Sequence, residues 1–165
     1  LAYVLSCIIK SEFPQINLTV IGRDSSKLSQ FTFADNTFFS YDIPDDFNID
    51  HAFECAGGEG SFYAIDDIIR YINPQGSVML LGVSENKVAI NTRDVLEKGL
   101  TLIGCSRSGR EDFEQAVKLL EKKNFQNRIK RIIYEDSPVS SVEDIYRIFE
   151  TDASTAFKTV FKWDL

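Results

Sequence analysis

The chain has 165 residues, of which 44% are hydrophobic and 26% are charged, so we expect a globular domain with its own core. Its formal net charge of −7 argues against nucleic-acid binding, which depends on lysine and arginine neutralising phosphates. No apolar run of about 18 residues occurs, so no membrane span is expected. The apolar start of the chain lacks the basic region and cleavage pattern of a signal peptide.

The chain contains three cysteines and one histidine, and their placement argues against a metal cluster or a disulfide framework. Cys7, Cys55 and Cys105 lie far apart, without a CxxC motif or a neighbouring histidine. We therefore expect reduced thiols and a cytoplasmic protein. His51 is the only histidine, and the sequence offers no recognisable Ser-His-Asp triad around it.

The N-terminal third is predicted to begin with a helix and to continue with short strands. One face of the first helix carries Leu1, Leu5, Ile8 and Ile9, and Pro14 ends the helix. Strands are predicted at residues 18–21, 37–40 and 51–55. Between the first two of these strands, Asp24 can cap a brief helix that runs to residue 30.

The middle third is predicted to alternate helices with buried strands. Isoleucines at positions 65, 68, 69 and 72 follow the spacing of a helix, which Asn-Pro-Gln-Gly at residues 73–76 stops. Continuous apolar strands at residues 77–81 and 100–104 are typical of strands buried on both faces. Between them we predict a short strand at residues 87–90, from Lys87 to Ile90. A helix then runs from its cap at Asn91 to Gly99.

The C-terminal third is predicted to contain two amphipathic helices and two strands. Phe113, Ala116, Val117 and Leu120 mark one helix, and Ser140 with Glu143 matches a capping box before the other. Strands are predicted at residues 129–134 and 156–163. The alternation predicts an α/β fold of the Rossmann-like, doubly wound type, with a parallel sheet covered by helices.

A doubly wound domain begins with a strand and a glycine turn, whereas this sequence begins within the helix that should follow them. We therefore expect the first strand and the glycine turn upstream of Leu1. Without that strand, the sheet is expected to be split. The intact protein is accordingly expected to be longer than residues 1–165.

Ligands of open α/β sheets bind beyond the carboxyl ends of the strands, so the residues after each strand are candidates. After the strand at residues 18–21, Gly22 stands where sites for NAD usually have an acid. Arg23, Ser25 and Lys27 could then bind a 2′-phosphate. The alternative is a polar turn in which Asp24 caps the next helix.

Two further strand ends carry candidate residues. Glycines at residues 57, 58 and 60, and Gly82 before Val83, could let the backbone approach a flat ring or a phosphate, or could simply form tight turns. Arg107 follows the strand at residues 100–104 and could meet a pyrophosphate, or could be a solvated arginine. The sequence contains no P-loop or HExxH motif.

Several of these runs together resemble medium-chain dehydrogenases, the family of zinc-type alcohol and polyol dehydrogenases. They are Phe-Glu-Cys-Ala-Gly-Gly at residues 53–58, Ile-Asn-Pro-Gln-Gly-Ser-Val-Met-Leu-Leu-Gly-Val at 72–83, and Gly-Leu-Thr-Leu-Ile-Gly at 99–104. Runs at residues 51–55, 81–85, 91–104 and 106–109 resemble, more narrowly, the ribulose-5-phosphate reductases. Those enzymes use NADPH to make ribitol 5-phosphate for the CDP-ribitol of teichoic acids and capsules.

The resemblance implies that residues 1–165 are the NAD(P)-binding domain, the C-terminal part of a longer two-domain enzyme, and it implies a role for each candidate residue. Ala2 takes the last small position of the glycine fingerprint, and Gly22 replaces the ribose-binding acid, with Arg23, Ser25 and Lys27 around the 2′-phosphate. The nicotinamide is expected against Ala56, Gly82, Val83 and Cys105. Arg107 and Lys158 are expected to face the pyrophosphate. The strand at residues 87–90 is expected to join two subunits into a homodimer.

The resemblance also implies zinc in the intact enzyme, with ligands outside this chain, and we predict no metal ligand and no catalytic residue here. The expected partners are a sugar-phosphate substrate, a second subunit and a cytidylyltransferase of the same pathway. Two alternatives stay open: another zinc-type alcohol or polyol dehydrogenase, and a noncatalytic domain with a nucleotide-binding fold.

Overall fold

A computed structural model describes residues 1–155 and 158–164 and has mixed α/β structure. The helices are α1 (Ala2–Glu12), α2 (Ser25–Leu28), α3 (Gly60–Tyr71), α4 (Thr92–Lys98), α5 (Arg110–Glu121), α6 (Lys123–Ile129) and α7 (Val142–Ser154). The strands are β1 (Thr19–Gly22), β2 (Asn36–Phe39), β3 (Ile49–Glu54), β4 (Ile72–Leu80), β5 (Thr101–Gly104), β6 (Ile133–Glu135) and β7 (Lys158–Val160).

The described strands form three sheets, in the orders β1-β2, β3-β4-β5 and β6-β7. This division into separate sheets agrees with the predicted split. The pairs within the second and third sheets are parallel, which confirms the predicted α/β class. The chain divides into two compact units. Residues 1–2 and 38–109 form the first unit, and residues 3–37 and 110–165 form the second.

The first unit is built around the three-stranded parallel sheet. Ala52, Ile72 and Val78 form its buried cluster, against which partly buried side chains such as Ile68 and Leu80 pack. Helix α3 connects β3 to β4, and its buried face includes Ile65, as the isoleucine spacing predicts. In this arrangement the parallel strands all end at the same edge of the sheet, where ligands of such sheets bind.

Helices α3 and α4 end on specific polar contacts. Asn91 caps α4 through its side chain, and Gly99 ends the helix in a left-handed conformation with φ of 61°, both as predicted. Lys98 donates from Nζ to the carbonyl oxygens of Ile69, Arg70 and Ile72 at 2.6, 2.9 and 3.0 Å. These bonds satisfy carbonyls that the end of α3 leaves without helical partners.

The structure corrects three predictions in the first unit. Strand β4 begins at Ile72 and not at residue 77. Its register with β3 is irregular at this end, because Ile49 pairs with Ile72 whereas His51 pairs with Ser77. Strand β5 is exposed along its length and not buried, because it is the outer strand of its sheet. No strand forms at residues 87–90. Within one chain this segment has no strand to pair with, and a strand needs such a partner.

The second unit contains α1, α2 and the C-terminal helices. Tyr3 and Cys7 on α1 are buried. The Tyr3 ring contacts Phe31 and Phe33 edge to face, at centroid distances of 5.1 and 5.5 Å. The Tyr3 hydroxyl donates to the carbonyl of Arg128 at 3.1 Å, which ties α1 to α6. These aromatic contacts hold the first helix of the chain within the second unit.

Three further predictions in the second unit need correction. Residues 129–132 are helical, and only Ile133–Glu135 form a strand. The capping box of α7 lies one residue later than predicted, because Ser141 and Asp144 exchange its two hydrogen bonds. Hydrogen bonds from the Ser140 backbone, the Ser141 side chain and other donors lower the pKa of Asp144 to about 2. The closing strand, predicted at residues 156–163, is the shorter β7, Lys158–Val160. The first two residues of the predicted range, Ala156 and Phe157, lie outside the described residues.

Candidate functional site

The carboxyl ends of β3 and β4 bring two loops together. In the parallel register, Glu54 at the end of β3 pairs with Leu80 at the end of β4. Residues 56–58 follow β3, and residues 82–84 follow β4. We call these two loops, together with Glu54, the glycine edge. Because it contains three glycines, its backbone can approach a ligand closely.

Glu54 connects the two loops through its buried carboxylate, which is 2% exposed as a residue. Its Oε1 accepts hydrogen bonds from the backbone N–H groups of Ala56 and Gly57 at 2.7 and 3.1 Å. The hydroxyl of Ser61 donates to the same oxygen at 3.1 Å. Its Oε2 accepts from the backbone N–H of Gly82 at 3.0 Å. Oε1 therefore accepts hydrogen bonds from the loop after β3, and Oε2 accepts one from the loop after β4.

The two loops also bind each other directly. The N–H of Gly58 donates to the carbonyl of Val83 at 2.8 Å, and the Ser84 hydroxyl donates to the carbonyl of Gly58 at 2.9 Å. A Cβ atom on Gly82 would lie 2.5 Å from both carboxyl oxygens of Glu54 and from the nitrogen of Gly57. Position 82 therefore has no space for a side chain. Gly57, with φ of 70°, requires the left-handed conformation that glycine adopts readily.

The family resemblance predicts Ala56, Gly82, Val83 and Cys105 around one ring. The structure brings the first three together at the glycine edge, whereas Cys105 follows β5. Glu54 was not among the predicted residues. The available signal was an acidic residue that follows Ala52 and Phe53 at the end of a strand and lies three residues before a pair of glycines. Such a carboxyl is buried at a sheet end and needs donors, which the following backbone N–H groups supply.

Cys105 and Arg107 follow β5, whose last residue, Gly104, pairs with Leu80 of β4. Both side chains are exposed. Arg107 has φ of 66°, which is unusual for a residue other than glycine. Gln75, which belongs to no candidate site, has a similar φ of 65°, so this conformation does not by itself mark Arg107 as functional.

Residues 22–27, at the end of β1, form a second candidate region, which we call the basic turn. The Asp24 carboxylate accepts from the backbone N–H of Lys27 at 3.0 Å and thereby caps α2. Asp24 thus has the capping role that the sequence analysis gave as the alternative. The capping carboxylate keeps its negative charge, which counts against a phosphate pocket unless Arg23 and Lys27 outweigh it.

The basic turn exposes Arg23, Ser25 and Lys27. Among contacts between described residues, neither cation forms an ion pair. A Cβ on Gly22 would lie 3.1 Å from Cδ2 of the buried Leu28, so a larger residue there requires Leu28 to move. Two unpaired cations and a hydroxyl form a donor set that fits a phosphate.

The remaining predicted residues, Ala2 and Lys158, belong to neither region. Ala2 is the first residue of α1. Lys158 begins β7, and its Nζ lies 3.6 Å from a carboxylate oxygen of Asp152. Its side chain is 76% exposed, so this weak ion pair leaves it accessible to an anion.

The three cysteines differ in their surroundings. Burial raises the pKa of the Cys7 thiol to about 11, and burial is also the main cause of a raised pKa at Cys55. Cys105 is exposed.

In the described part of the chain, no group of three or more His, Cys, Asp and Glu side chains is arranged to hold a metal ion. These residues therefore do not fit a zinc site. Nor is any described helix long and apolar enough to cross a membrane.

Comparisons with known proteins match this fold. A family model described as zinc-binding dehydrogenase matches residues 25–122. Ribulose-5-phosphate reductase from Streptococcus pneumoniae is 53% identical over 165 residues, which cover 100% of this chain and 48% of that protein. Ribulose-5-phosphate reductase 2 from Staphylococcus aureus is 46% identical over 167 residues, which cover 100% of this chain and 49% of that protein.

Among solved structures, that of S. aureus TarJ in complex with NADPH superposes with a TM-score of 0.95 at 43% identity. The match covers 99% of this chain and 52% of the TarJ chain. The chain thus spans about half the length of the curated relatives it matches. These matches confirm the family resemblance of the sequence.

Proposed function

Because the chain belongs to the zinc-binding dehydrogenase family, we propose that the intact protein is an NADPH-dependent reductase that converts D-ribulose 5-phosphate to D-ribitol 5-phosphate. The observation that carries the proposal is the 53% identity over the whole chain to a protein named for this activity. A relative's structure with bound NADPH, at 43% identity, supports the choice of cofactor. In this proposal the chain provides much of the cofactor site.

The basic turn binds the 2′-phosphate of NADPH. Arg23 provides a planar pair of donors, Lys27 a second positive charge and Ser25 a hydroxyl. Gly22 leaves the position of the ribose-binding acid without a carboxylate that would repel the phosphate. Asp24 caps α2 but keeps its negative charge, so the two positive charges of Arg23 and Lys27 have to outweigh it.

The glycine edge holds the nicotinamide ring, with Ala56, Gly82, Val83 and Cys105 against it. Val83 is 84% exposed and thus available to pack on a flat ring. Arg107 and Lys158 face the pyrophosphate, and Ala2 lies at the end of the glycine turn that binds it. When bound, NADPH supplies the hydride that reduces the ketone of the substrate.

The described residues do not fit zinc, so we assign no step of the reaction to a metal held by them. Zinc in the intact enzyme has its ligands outside this chain. The residues of this chain bind and orient the cofactor, and none of them transfers a proton to the substrate in this proposal.

The intact enzyme is cytoplasmic, and its product supplies the CDP-ribitol used for teichoic acids or capsules. A cytidylyltransferase of the same pathway is its proposed partner. We further propose a homodimer in which residues 87–90 pair with the same segment of a second subunit. The segment includes two exposed residues, Lys87 and Ala89, and pairs with no strand among the described residues.

The proposal is tested by the rate at which the intact protein oxidises NADPH in the presence of D-ribulose 5-phosphate, with NADH as the comparison. Fast turnover with NADPH and slow turnover with NADH is expected. Absence of turnover by protein that binds NADPH contradicts the substrate assignment. Plain alcohols and polyols are then the substrates to assay, since other members of the family act on them.

A further inference from the structure

The glycine edge depends on one side chain that the proposed cofactor contacts do not include. We infer that Glu54 is a positioning residue, which holds the nicotinamide ring in place for hydride transfer by fixing the separation of residues 56–58 and 82–84. The inference rests on the proposed function, because it requires the ring to lie against these two loops.

The geometry assigns this role to Glu54 rather than to the loops' direct contacts. Its Oε1 receives three donors from the β3 side, Ala56, Gly57 and Ser61, at 2.7 to 3.1 Å. Its Oε2 receives Gly82 from the β4 side at 3.0 Å. The N–H of Gly82 is shared with the backbone carbonyl of Glu54, also at 3.0 Å. One buried carboxylate thus bonds to both loops.

Hydride transfer is sensitive to this arrangement, whereas cofactor affinity depends largely on other groups. The reacting atoms have to lie within about 3–3.5 Å of each other, and a displacement of about 1 Å can cost about a hundredfold in rate. The phosphates of NADPH supply much of its charge-assisted binding, at the basic turn and at Arg107. A defect at Glu54 should therefore separate the rate of hydride transfer from the affinity for NADPH.

Glu54→Gln in the intact enzyme tests the inference, because it preserves shape and removes one acceptor. The amide oxygen is expected to stay at the Oε1 position, where three donors meet. The amide nitrogen then faces the N–H of Gly82, and two donors repel each other. Glu85→Gln is the matched control. It makes the same chemical change on an exposed residue just beyond the second loop.

We expect the single-turnover rate of NADPH oxidation to fall about tenfold to a hundredfold in Glu54→Gln, while the dissociation constant of NADPH changes less than about threefold. Glu85→Gln should match the unchanged enzyme in both. A normal rate in folded Glu54→Gln overturns the inference. So does a rate loss that is fully explained by a weaker dissociation constant, because that indicates only a damaged fold or site.

If Glu54→Gln does not fold, Glu54→Asp serves instead, since it keeps the carboxylate but shortens the side chain by one methylene, so that the carboxylate cannot reach the donors of both loops at their present distances. Glu85→Asp is its control, because it makes the same change on an exposed residue. A rate loss in Glu54→Asp but not in Glu85→Asp supports the inference. Equal rates in the two variants overturn it.

A readout without substrate separates this inference from the proposed function. The fluorescence of bound NADPH reports the surroundings of its nicotinamide ring. If the unchanged enzyme binds NADPH but does not reduce D-ribulose 5-phosphate, the proposed substrate is wrong, yet a changed emission in Glu54→Gln at unchanged affinity still supports the role of Glu54. Identical emission in both proteins overturns that role. Failure of the unchanged enzyme to bind NADPH contradicts both proposals.

Discussion

The glycine edge and the basic turn both follow β-strands, but they are built in opposite ways. At the glycine edge, a buried carboxylate and six hydrogen bonds to or between loop atoms hold the backbone. At the basic turn, the cations are exposed and form no ion pair with another described residue. The first region is rigid by construction, and the second keeps its charges available.

The difference corresponds to what each end of the proposed cofactor requires. A reacting ring has to be held within a fraction of an ångström, so preorganised structure behind it is useful. A phosphate needs charge-assisted donors more than exact placement, and long exposed side chains can adjust to it. Stability should therefore depend on the glycine edge, and cofactor choice on the basic turn.

The largest effect is expected for Glu54→Ala, which should lower the free energy of unfolding by about 2–4 kcal/mol. The substitution leaves the backbone N–H groups of Ala56 and Gly57 and the hydroxyl of Ser61 without this acceptor, and each buried, unsatisfied donor costs about 1–3 kcal/mol, reduced where water can enter. The N–H of Gly82 keeps the backbone carbonyl of Glu54 as its acceptor. Urea denaturation of the intact enzyme measures the change. Arg23→Ala should shift the same transition by less than about 0.5 kcal/mol, since Arg23 is exposed.

Glu85→Ala is the control for the loss of an exposed acid near the glycine edge. A Glu54→Ala protein as stable as Glu85→Ala would show that the loops keep their positions without the carboxylate. The contrast between the two regions would then fail.

The sequence predicted the features that depend on local signals. Asp24 and Asn91 cap their helices because a short polar side chain before a helix reaches N–H groups only a few residues away. The spacing of Ile65, Ile68 and Ile69 predicts α3 for the same reason, whereas Ile72, the fourth member of the pattern, begins β4. The order of helices and strands then gave the α/β class.

The features that failed or were missed depend on contacts between distant segments. The link from Glu54 to Gly82 joins residues 28 positions apart, and no local pattern specifies it. The exposure of β5 follows from its place at the edge of the sheet, which apolar composition alone does not reveal. Residues 87–90 do not form the expected strand, because a strand requires a partner and no described strand pairs with them. The cofactor contacts of the predicted site residues stay predictions.

The next largest effect concerns cofactor choice. Arg23→Ala in the intact enzyme should weaken NADPH binding by about 1–3 kcal/mol, the range for a charge-assisted hydrogen bond, and leave NADH binding nearly unchanged. Fluorescence titration of both cofactors measures this. Arg93→Ala, which removes an exposed arginine paired with Glu97 on α4, is the control and should alter neither affinity. Equal losses for NADPH and NADH contradict the assignment of Arg23 to the 2′-phosphate.

The smallest effect concerns Cys105, the exposed thiol that follows β5. If its side chain lies beside the nicotinamide, saturating NADPH should slow its alkylation by iodoacetamide, as mass spectrometry of peptides from the intact enzyme would measure. Cys7 is the internal control. Because burial raises the pKa of its thiol to about 11, it carries little thiolate at pH 8 and should react slowly with or without NADPH. If titration shows that NADPH is bound and the alkylation rate of Cys105 is nevertheless unchanged, then Cys105 does not contact the nicotinamide ring. The proposed surface for the ring would then consist of Ala56, Gly82 and Val83 alone, on the two loops that Glu54 connects.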